Sequence, residues 1–257
     1  MKRRLIVMAG PKGGVGKTHG AKLLYDLLPQ HGRTIAAWDL DAVTGTFAVY
    51  DDGIRTFELD GKQGGPSWLD DCYRDDVDDV LIDVPGGGIN SLLCTFGDDN
   101  VAALVAAITE AGRELVIVNP IGILIAETVT AQVTLNAFRG TSARIVIIKN
   151  GRFGNADDFV VYDGIDCGDE RRYGATRDLA EQVGAETIFL PSLAPRLVAQ
   201  VDAERLRLAE AAGATGIERL GRLGATRVRM HLALVAEALR GSSLDLTGAI
   251  PPRKATP

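Results

Sequence analysis

Short runs of apolar residues alternate along the chain with segments of helical periodicity. The apolar runs predict strands at 4–10, where the run ends in a loop, and at 34–41, 79–85, 114–120, 143–150 and 186–191. The helical pattern predicts helices at 16–32, 101–111, 125–138, 174–183, 195–212 and 225–240. Nearly continuous runs of Val, Ile and Leu are typical of strands buried on both faces. We therefore predict an α/β fold with a mostly parallel, doubly wound sheet and helices on both faces.

Length and composition limit the number of domains and indicate the cellular compartment. The 257 residues suit one large α/β domain or two small ones. We predict a single domain over 1–240 and a flexible end over 241–257, which is rich in Gly, Pro, Ser and Thr. The three cysteines are widely spaced without a Cys-x-x-Cys pair, which favours a reducing cytosol over a disulfide framework or a metal cluster. We interpret the basic start of the chain as part of the first strand and not as a signal peptide.

A glycine-rich stretch, PKGGVGKTHG at 11–20, joins the first predicted strand to the first predicted helix. In that context backbone N–H groups and the helix N-terminus form a phosphate-binding loop. Lys17 is expected to neutralise the β- and γ-phosphates of a nucleotide, and Thr18 to bind Mg²⁺. The stretch departs from the pattern G-x-x-x-x-G-K-T only at Pro11, which stands at the first glycine position. The expected nucleotide-binding residues of this loop are Gly13, Gly14, Val15, Gly16, Lys17, Thr18 and His19.

Aspartates close two of the predicted strands. Asp39 and Asp41 end the strand at 34–41, and Asp83 ends the strand at 79–85 before a PGGG segment. Ligands collect at the carboxyl ends of parallel strands, and a strand-terminal Asp commonly holds the Mg²⁺ of a phosphate-binding loop. Each of these residues could instead be a turn residue or a helix cap. Their placement beside a phosphate-binding loop favours a functional role.

The motifs KGGVGKT, DLD and LIDVPGG, taken in this order, resemble the ParA/MinD family of deviant Walker-A ATPases. The resemblance spans most of the chain and is specific at 12–18. It implies a P-loop NTPase fold, ATP and Mg²⁺ as cofactors, and a homodimer that forms with ATP. It also implies that Lys12, the early lysine of the motif, reaches across the dimer interface to the nucleotide of the other subunit. The further roles that it implies are water activation by Asp41, a place beside Mg²⁺ for Asp39, the Walker-B acid for Asp83, adenine recognition by Asn150, and closure over the adenine by the loop around Pro191.

Some residues differ from the family pattern. AVTGTF follows the DLD motif where family members commonly have Pro-Gln, and His19 stands where a second Thr is common. The layout DLDAVTGTFAVY is also similar to a branch of the family attached to conjugative plasmids, the TraL/MobD-like mobilisation ATPases. We expect these departures to affect details of the loop after Asp41 and not nucleotide binding itself.

Three functions remain open at this level. The first is a Mg-ATP-driven dimer switch, slow without a protein activator or cargo adaptor, for partition, positioning or plasmid transfer. The second is a metabolic enzyme of the same superfamily, either an ATP-dependent ligase or an electron-transfer ATPase, although Cys94 has no evident mate for a cluster. The third is a GTPase, which would need an N-K-x-D motif that KNGR at 149–152 does not provide.

The surface on which such a switch would act is also open. The formal charge of −6 argues against coating by nucleic acid but permits a local basic patch for non-specific DNA. We expect a cytoplasmic protein, associated with the nucleoid if it binds DNA. A membrane is disfavoured because the segment at 225–241 is modestly basic, and no apolar run approaches the ~18 residues of a membrane span. The arginines that could form a DNA patch, or pair instead with Glu204, Glu210 and Glu218, are Arg205, Arg207, Arg219, Arg222, Arg227 and Arg229.

Overall fold

The structure, a computed structural model, describes residues 2–10, 12–41, 45–58, 67–94, 96, 100–168 and 170–252. Its strands are β1 (Arg3–Met8), β2 (Ile35–Asp39), β3 (Ile54–Thr56), β4 (Asp79–Asp83), β5 (Arg113–Ile121), β6 (Arg144–Asn150), β7 (Ile165–Cys167), β8 (Glu170–Arg172) and β9 (Glu186–Leu190). Its helices are α1 (Lys17–Gln30), α2 (Ser67–Cys72), α3 (Gly88–Cys94), α4 (Asn100–Glu110), α5 (Ile125–Val129), α6 (Ala131–Ala137), α7 (Val160–Asp163), α8 (Ala175–Gln182), α9 (Pro195–Ala203), α10 (Leu208–Ala212) and α11 (Ala214–Leu239).

A seven-stranded parallel sheet in the order β3-β2-β4-β1-β5-β6-β9 organises the chain. Two hydrophobic clusters cover its opposite faces, so the central strands are buried on both sides. The leucine-rich face of α1 lies in one of these clusters, where Leu23, Leu24, Leu27 and Leu28 are all buried. The predicted doubly wound parallel sheet is therefore confirmed.

The sequence pattern missed several elements and predicted others as too long. The strand β3 and the hairpin β7–β8 have three residues per strand, which is too short for a readable pattern. The predicted helix at 195–212 is two helices, because Arg205 between α9 and α10 takes a left-handed conformation with φ 52°. The predicted helix at 125–138 is likewise split at Thr130. Within the described part of the chain, no helix is long and apolar enough to cross a membrane.

The final helix packs on the sheet, and the predicted flexible end after it is wrong for its first residues. Leu232, Val235 and Leu239 of α11 are buried. The chain then continues along the protein, and Leu244 and Leu246 are buried in the same hydrophobic cluster. Leu244 and Leu246 attach this segment to the core, whereas its composition, which is rich in Gly and Ser, favoured a flexible end. Residues 253–257 lie outside the described residues.

A buried arginine ties the same segment to the sheet. The Arg4 side chain on β1 donates to the main-chain carbonyls of Ser243 at 3.1 Å and Asp245 at 2.8 Å. It also donates to the carboxylate of Asp79 on β4, which receives a second pair of hydrogen bonds from Arg33. Because buried charges are tolerated only when they are paired and hydrogen-bonded, these contacts fix the 242–246 segment in one position.

A leucine pair tests whether this segment belongs to the folded core. Leu244→Ala removes a side chain that is 0% exposed, and we expect it to lower the free energy of unfolding by roughly 2–5 kcal/mol. Leu223→Ala, on a side chain that is 65% exposed, is the matched control and should cost less than about 0.5 kcal/mol. Urea denaturation of both variants gives the comparison. Equal stability of the two variants would mean that the 242–246 segment is not packed.

Candidate functional site

The phosphate-binding loop connects the end of β1 to the first turn of α1, as the sequence predicts. Gly16 has φ 103°, in the left-handed region that favours glycine. A Cβ atom at this position would also lie only 2.1 Å from the side-chain nitrogen of Asn150. Both constraints require glycine at 16. Pro11 lies outside the described residues.

Lys17 lies buried under the loop. Its ammonium group donates to the main-chain carbonyl of Lys12 at 2.9 Å, which places it inside the concave side of the loop. Burial lowers the pKa of Lys17, and the carboxylates of Asp83 and Asp41 raise it in opposition. The lysine is therefore a buried cation that lines the cleft beside the phosphate-binding loop.

Thr18 and Asp83 meet directly. The Thr18 hydroxyl donates to Oδ2 of Asp83 at 2.6 Å, while Oδ1 of Asp83 is buried and accepts no hydrogen bond among the described residues. Burial raises the pKa of Asp83 to about 7, the Thr18 hydrogen bond opposes this rise, and Asp39 and Asp41 add to it. A buried carboxylate oxygen without a partner, next to a hydroxyl, is a site that a cation would stabilise.

These two side chains fit Mg²⁺ in the manner of a nucleotide-bound ion. Mg²⁺ prefers oxygen ligands and is usually held by one or two protein groups together with substrate phosphates. Within the described part of the chain, no three His, Cys, Asp or Glu side chains converge as a metal-binding group. Thr18 and Asp83 would therefore hold the ion together with the phosphates and not as a separate protein cage.

The carboxylate of Asp39, expected beside Mg²⁺, is hydrogen-bonded to the main chain in this structure. One of its carboxylate oxygens accepts the N–H of Asp41, and the other accepts those of Phe47 and Ala48, all at 2.9 Å. The side chain is buried and its oxygens are committed to the main chain. Asp39 therefore shapes the loop that carries Asp41, and its place beside Mg²⁺ stays a prediction.

Asp41 lies at the mouth of the same cleft. The cleft has a volume of about 300 Å³ and is lined by the phosphate-binding loop, by the segment after β4 and by Asp41, Thr46 and Arg152. The parallel register places Asp39 opposite Asp83, so Asp41 follows just beyond the carboxyl edge of the sheet. Residues 42–44, where the sequence departs from the family pattern, lie outside the described residues.

Lys12 points away from Lys17. Its ammonium group lies 3.5 Å from a carboxylate oxygen of Glu127 on α5, and its side chain is 37% exposed. The second carboxylate oxygen of Glu127 accepts the N–H of Leu124, which orients the acid toward the loop. Lys12 is thus a partly exposed cation of the phosphate-binding loop that pairs with Glu127, a residue that follows β5.

The expected adenine-binding residues, Asn150 and Pro191, lie at the carboxyl ends of β6 and β9. Asn150 ends β6 and is paired in register with Leu190, the residue before Pro191. In this structure the Asn150 amide donates to the carbonyl of Val15 at 2.9 Å, and its oxygen accepts the N–H of Arg152. Asn150 therefore contacts the phosphate-binding loop itself, and its role toward adenine stays a prediction.

His19 and two residues that sequence reasoning missed complete the surroundings. His19 lines the cleft, and burial together with nearby His231, Lys22 and Arg152 lowers its pKa to about 4, so it is neutral at pH 7. Arg152 and Glu127 were missed. Arg152 follows Asn150 by two residues, a spacing that could have indicated it, whereas nothing local in the sequence distinguishes Glu127.

The arginines proposed for DNA binding are partly engaged in ion pairs. Arg207 contacts Asp51 at 2.9 Å and Glu210 at 3.7 Å, and Arg219 contacts Glu204 at 3.7 Å. Arg229 donates to the carbonyl of Ala212 at 2.7 Å. Pairing with acids and access to DNA are compatible at such exposed positions, because exposed pairs are weak. The structure therefore keeps both interpretations.

Comparison with known proteins defines the class of fold. No family model matches the chain, and no curated protein matches its sequence. Among solved structures, the septum site-determining protein MinD from Pyrococcus horikoshii OT3, complexed with Mg-ADP, has 15% identity and a TM-score of 0.52 over 93% of this chain and 97% of its own. The Pyrococcus furiosus cell division ATPase MinD gives 16% and 0.48 over 90% and 98%, and the MinC:MinD cell division complex of Aquifex aeolicus gives 12% and 0.49 over 90% and 96%.

At this level of identity the likeness defines the fold. The chain has the P-loop NTPase fold, with a parallel sheet and a phosphate-binding loop between its first strand and first helix. Within that class its architecture is similar to that of the P. horikoshii MinD structure over nearly the whole length of both chains. The fold implied by the sequence resemblance is thus confirmed.

The buried carboxylate of Asp83 gives a pH-dependent prediction. The pKa of about 7 in the folded protein is above the ordinary value of 3.8 for an aspartate, so ionisation of Asp83 destabilises the fold as pH rises from about 4 to 7. Asp83→Asn removes this destabilisation. We compare the free energy of unfolding of the variant with that of the unsubstituted protein at each pH. We expect this difference to favour the variant by roughly 2 kcal/mol more at pH 8 than at pH 5.

Urea denaturation at the two pH values, without nucleotide or metal, measures this difference. Asp75→Asn, at a side chain that is 95% exposed, is the matched control. An Asp83→Asn effect that is the same at both pH values would contradict the assignment of a buried, ionisable carboxyl beside Thr18.

Proposed function

We propose that this protein is a Mg-ATP-dependent, dimerising ATPase switch of the ParA/MinD type, used in the positioning, partition or plasmid transfer of a cargo. In this proposal the ATP form pairs with a second copy and engages a protein activator or cargo adaptor, and hydrolysis releases both. The closer resemblance to the TraL/MobD-like branch stays a prediction. So do the cytoplasmic location and the non-specific binding of DNA.

The observation that carries the proposal is the separation of the two lysines. Lys17 is buried within the phosphate-binding loop, and in this proposal it binds phosphates of its own subunit. Lys12 is partly exposed and directs its ammonium group to Glu127 on α5 instead. Two cations at one end of a single loop are thus directed to different places, which suits one lysine acting in cis and one acting in trans.

The remaining side chains have roles that their surroundings support. Thr18 and Asp83 would hold Mg²⁺, which when bound neutralises charge on the phosphates. Asp41, which lines the cleft, would orient a water molecule toward the terminal phosphate in this proposal. Lys12 of a second copy would add positive charge during transfer, and would make dimerisation depend on the triphosphate.

Competing functions have less support. A ligase needs a pocket for a second substrate beside the nucleotide, and no motif in the sequence indicates one. An electron-transfer ATPase needs paired cysteines that hold a cluster between subunits, and the two described cysteines are not such a pair, because Cys72 is buried and Cys167 is exposed on the hairpin β7–β8. Turnover with ATP against GTP separates the ATPase from a GTPase, and a product other than ADP and phosphate would favour the ligase.

Substitution of the two lysines should give different defects. Lys17→Ala is expected to abolish ATP binding, because it removes the main cation inside the loop. Lys12→Ala is expected to leave ATP binding by the monomer within about threefold but to abolish dimerisation and turnover, because its charge acts on the other subunit. The matched control is Lys2→Ala, at a partly exposed lysine that pairs with Glu114 at the opposite edge of the sheet.

Nucleotide affinity by calorimetry and mass by light scattering, with a slowly hydrolysed ATP analogue, measure both effects. If the unsubstituted protein stays monomeric with the analogue, the dimer switch is wrong. If Lys12→Ala dimerises as well as the unsubstituted protein, Lys12 is not the contact between subunits.

The Asp41 carboxylate gives a separate prediction. Asp41→Ala is expected to bind ATP, to lower the hydrolysis rate by about a hundredfold or more, and to accumulate as the ATP-bound dimer, because the attacking water is no longer oriented. Phosphate release and light scattering measure the two results, with Asp166→Ala on the exposed hairpin as control. Turnover at the unsubstituted rate would assign the catalytic role to another residue.

A further inference from the structure

A cavity beside the sheet lies far from the nucleotide cleft. It has a volume of about 860 Å³ and borders the strand β9, the loop before β6 and the chain after α11. The strand β6 runs from Arg144 at this cavity to Asn150 at the phosphate-binding loop, so the two sites are separated by roughly 20 Å. The cavity is therefore not part of the proposed ATPase site.

One wall of the cavity is the open edge of the sheet. In a parallel sheet the N–H and C=O groups of a residue point to the same side, and successive residues alternate. Leu190 accepts the N–H of Gly151 at 2.8 Å, so Leu190, Ile188 and Glu186 face β6. The main-chain groups of Thr187 and Phe189 consequently face outward. Among the described residues these four groups have no hydrogen-bond partner, and β9 is the last strand of the sheet.

The charges around this edge are mainly positive. Arg139, Arg144 and Arg240 line the cavity together with a single acid, Glu186, and of these arginines Arg144 is largely buried and paired with Glu114 at 3.3 Å. The Glu186 carboxylate is occupied by hydrogen bonds from the main chain and hydroxyl of Ser243. Arg139 forms no ion pair within the described part of the chain, and the pair of Arg240 with Glu237 is largely exposed and hence weak. An incoming anionic group would therefore find available guanidinium groups.

We propose that this cavity is a docking site for an acidic, extended segment of a partner protein, which adds as a further strand along β9. The unpaired groups of Thr187 and Phe189 would hydrogen-bond to the segment, and the arginines would select acidic side chains. Because β9 has five residues, a segment of about six residues would cover the edge. A small anion would satisfy the arginines but not the outward main-chain groups, so the peptide is the better fit.

A synthetic peptide tests the proposal directly on the full chain. The probe is fluorescein-labelled Glu-Val-Glu-Val-Glu-Val, which combines strand propensity with negative charge, and binding is followed by fluorescence anisotropy without nucleotide. We expect saturable binding at sub-millimolar peptide, and binding at least about tenfold weaker for Lys-Val-Lys-Val-Lys-Val. No binding of the acidic peptide at 1 mM, about the weakest affinity of interest, overturns the proposal.

Two further measurements separate strand addition from simple charge attraction. Arg139→Glu/Arg240→Glu should weaken binding about tenfold, whereas the matched control Arg219→Glu/Arg227→Glu, on exposed positions outside the cavity, should change it less than about twofold. Two further acidic peptides carry N-methyl groups at the odd or at the even residues. One of them should bind worse than the other, because only every second N–H of an added strand faces β9. Hydrogen exchange at the amides of Thr187 and Phe189 should slow when the unmodified peptide binds.

Each alternative outcome is decisive. Binding that both charge variants weaken equally, or binding without protection of the Thr187 and Phe189 amides, would show a non-specific ionic contact and overturn the docking site. These readouts do not involve ATP, so they stand or fall independently of the proposed ATPase switch.

Discussion

The alignment of strand ends at one edge of the parallel sheet is the constraint on which the site depends. The register pairs Met8 of β1 with Asp83 of β4, and Asp83 in turn with Asp39 of β2. Because the phosphate-binding loop leaves the sheet just after Met8, Thr18 at the start of α1 is brought within hydrogen-bond distance of Asp83. A shift of one residue in either pairing would turn these carboxylates to the opposite face of the sheet.

That alignment has an electrostatic cost which a bound ligand would relieve. Three carboxylates, those of Asp39, Asp41 and Asp83, are close enough that each of the first two raises the pKa of the third. Three main-chain N–H groups donate hydrogen bonds to the Asp39 carboxylate, whereas Asp83 is stabilised by the Thr18 hydroxyl and the nearby Lys17 ammonium group. A divalent cation would stabilise the ionised form of Asp83, so binding of Mg-nucleotide and ionisation of Asp83 favour each other.

The sequence predicted those parts of the fold and site that local patterns determine. The six long strands, the phosphate-binding loop and the strand-terminal aspartates were found because each combines a periodicity with a recognisable residue type. The commitment of Asp39 to the main chain, and the contact of Glu127 with Lys12, could not be predicted, since both depend on how distant segments meet. The 241–257 segment misled for the same reason: its composition favours disorder, but Leu244, Leu246 and the carbonyls that Arg4 requires attach it to the core.

The loop that carries Asp41 is anchored on both sides, which links the cleft to the helical layer behind it. Asp39 holds its two ends together through the N–H groups of Asp41 and Phe47. Beyond it, the Tyr50 hydroxyl donates to Asp26 of α1 at 2.6 Å and accepts the N–H of Leu208 at the start of α10. Asp26 is buried, and burial raises its pKa although Tyr50 opposes the rise, so this contact would be costly to break. Tyr50 thus connects the segment that follows Asp41 to both α1 and α10. A movement of that segment would have to break these contacts or move α10 relative to α1. Because α10 packs directly against α11, such a movement would also reach the final helix.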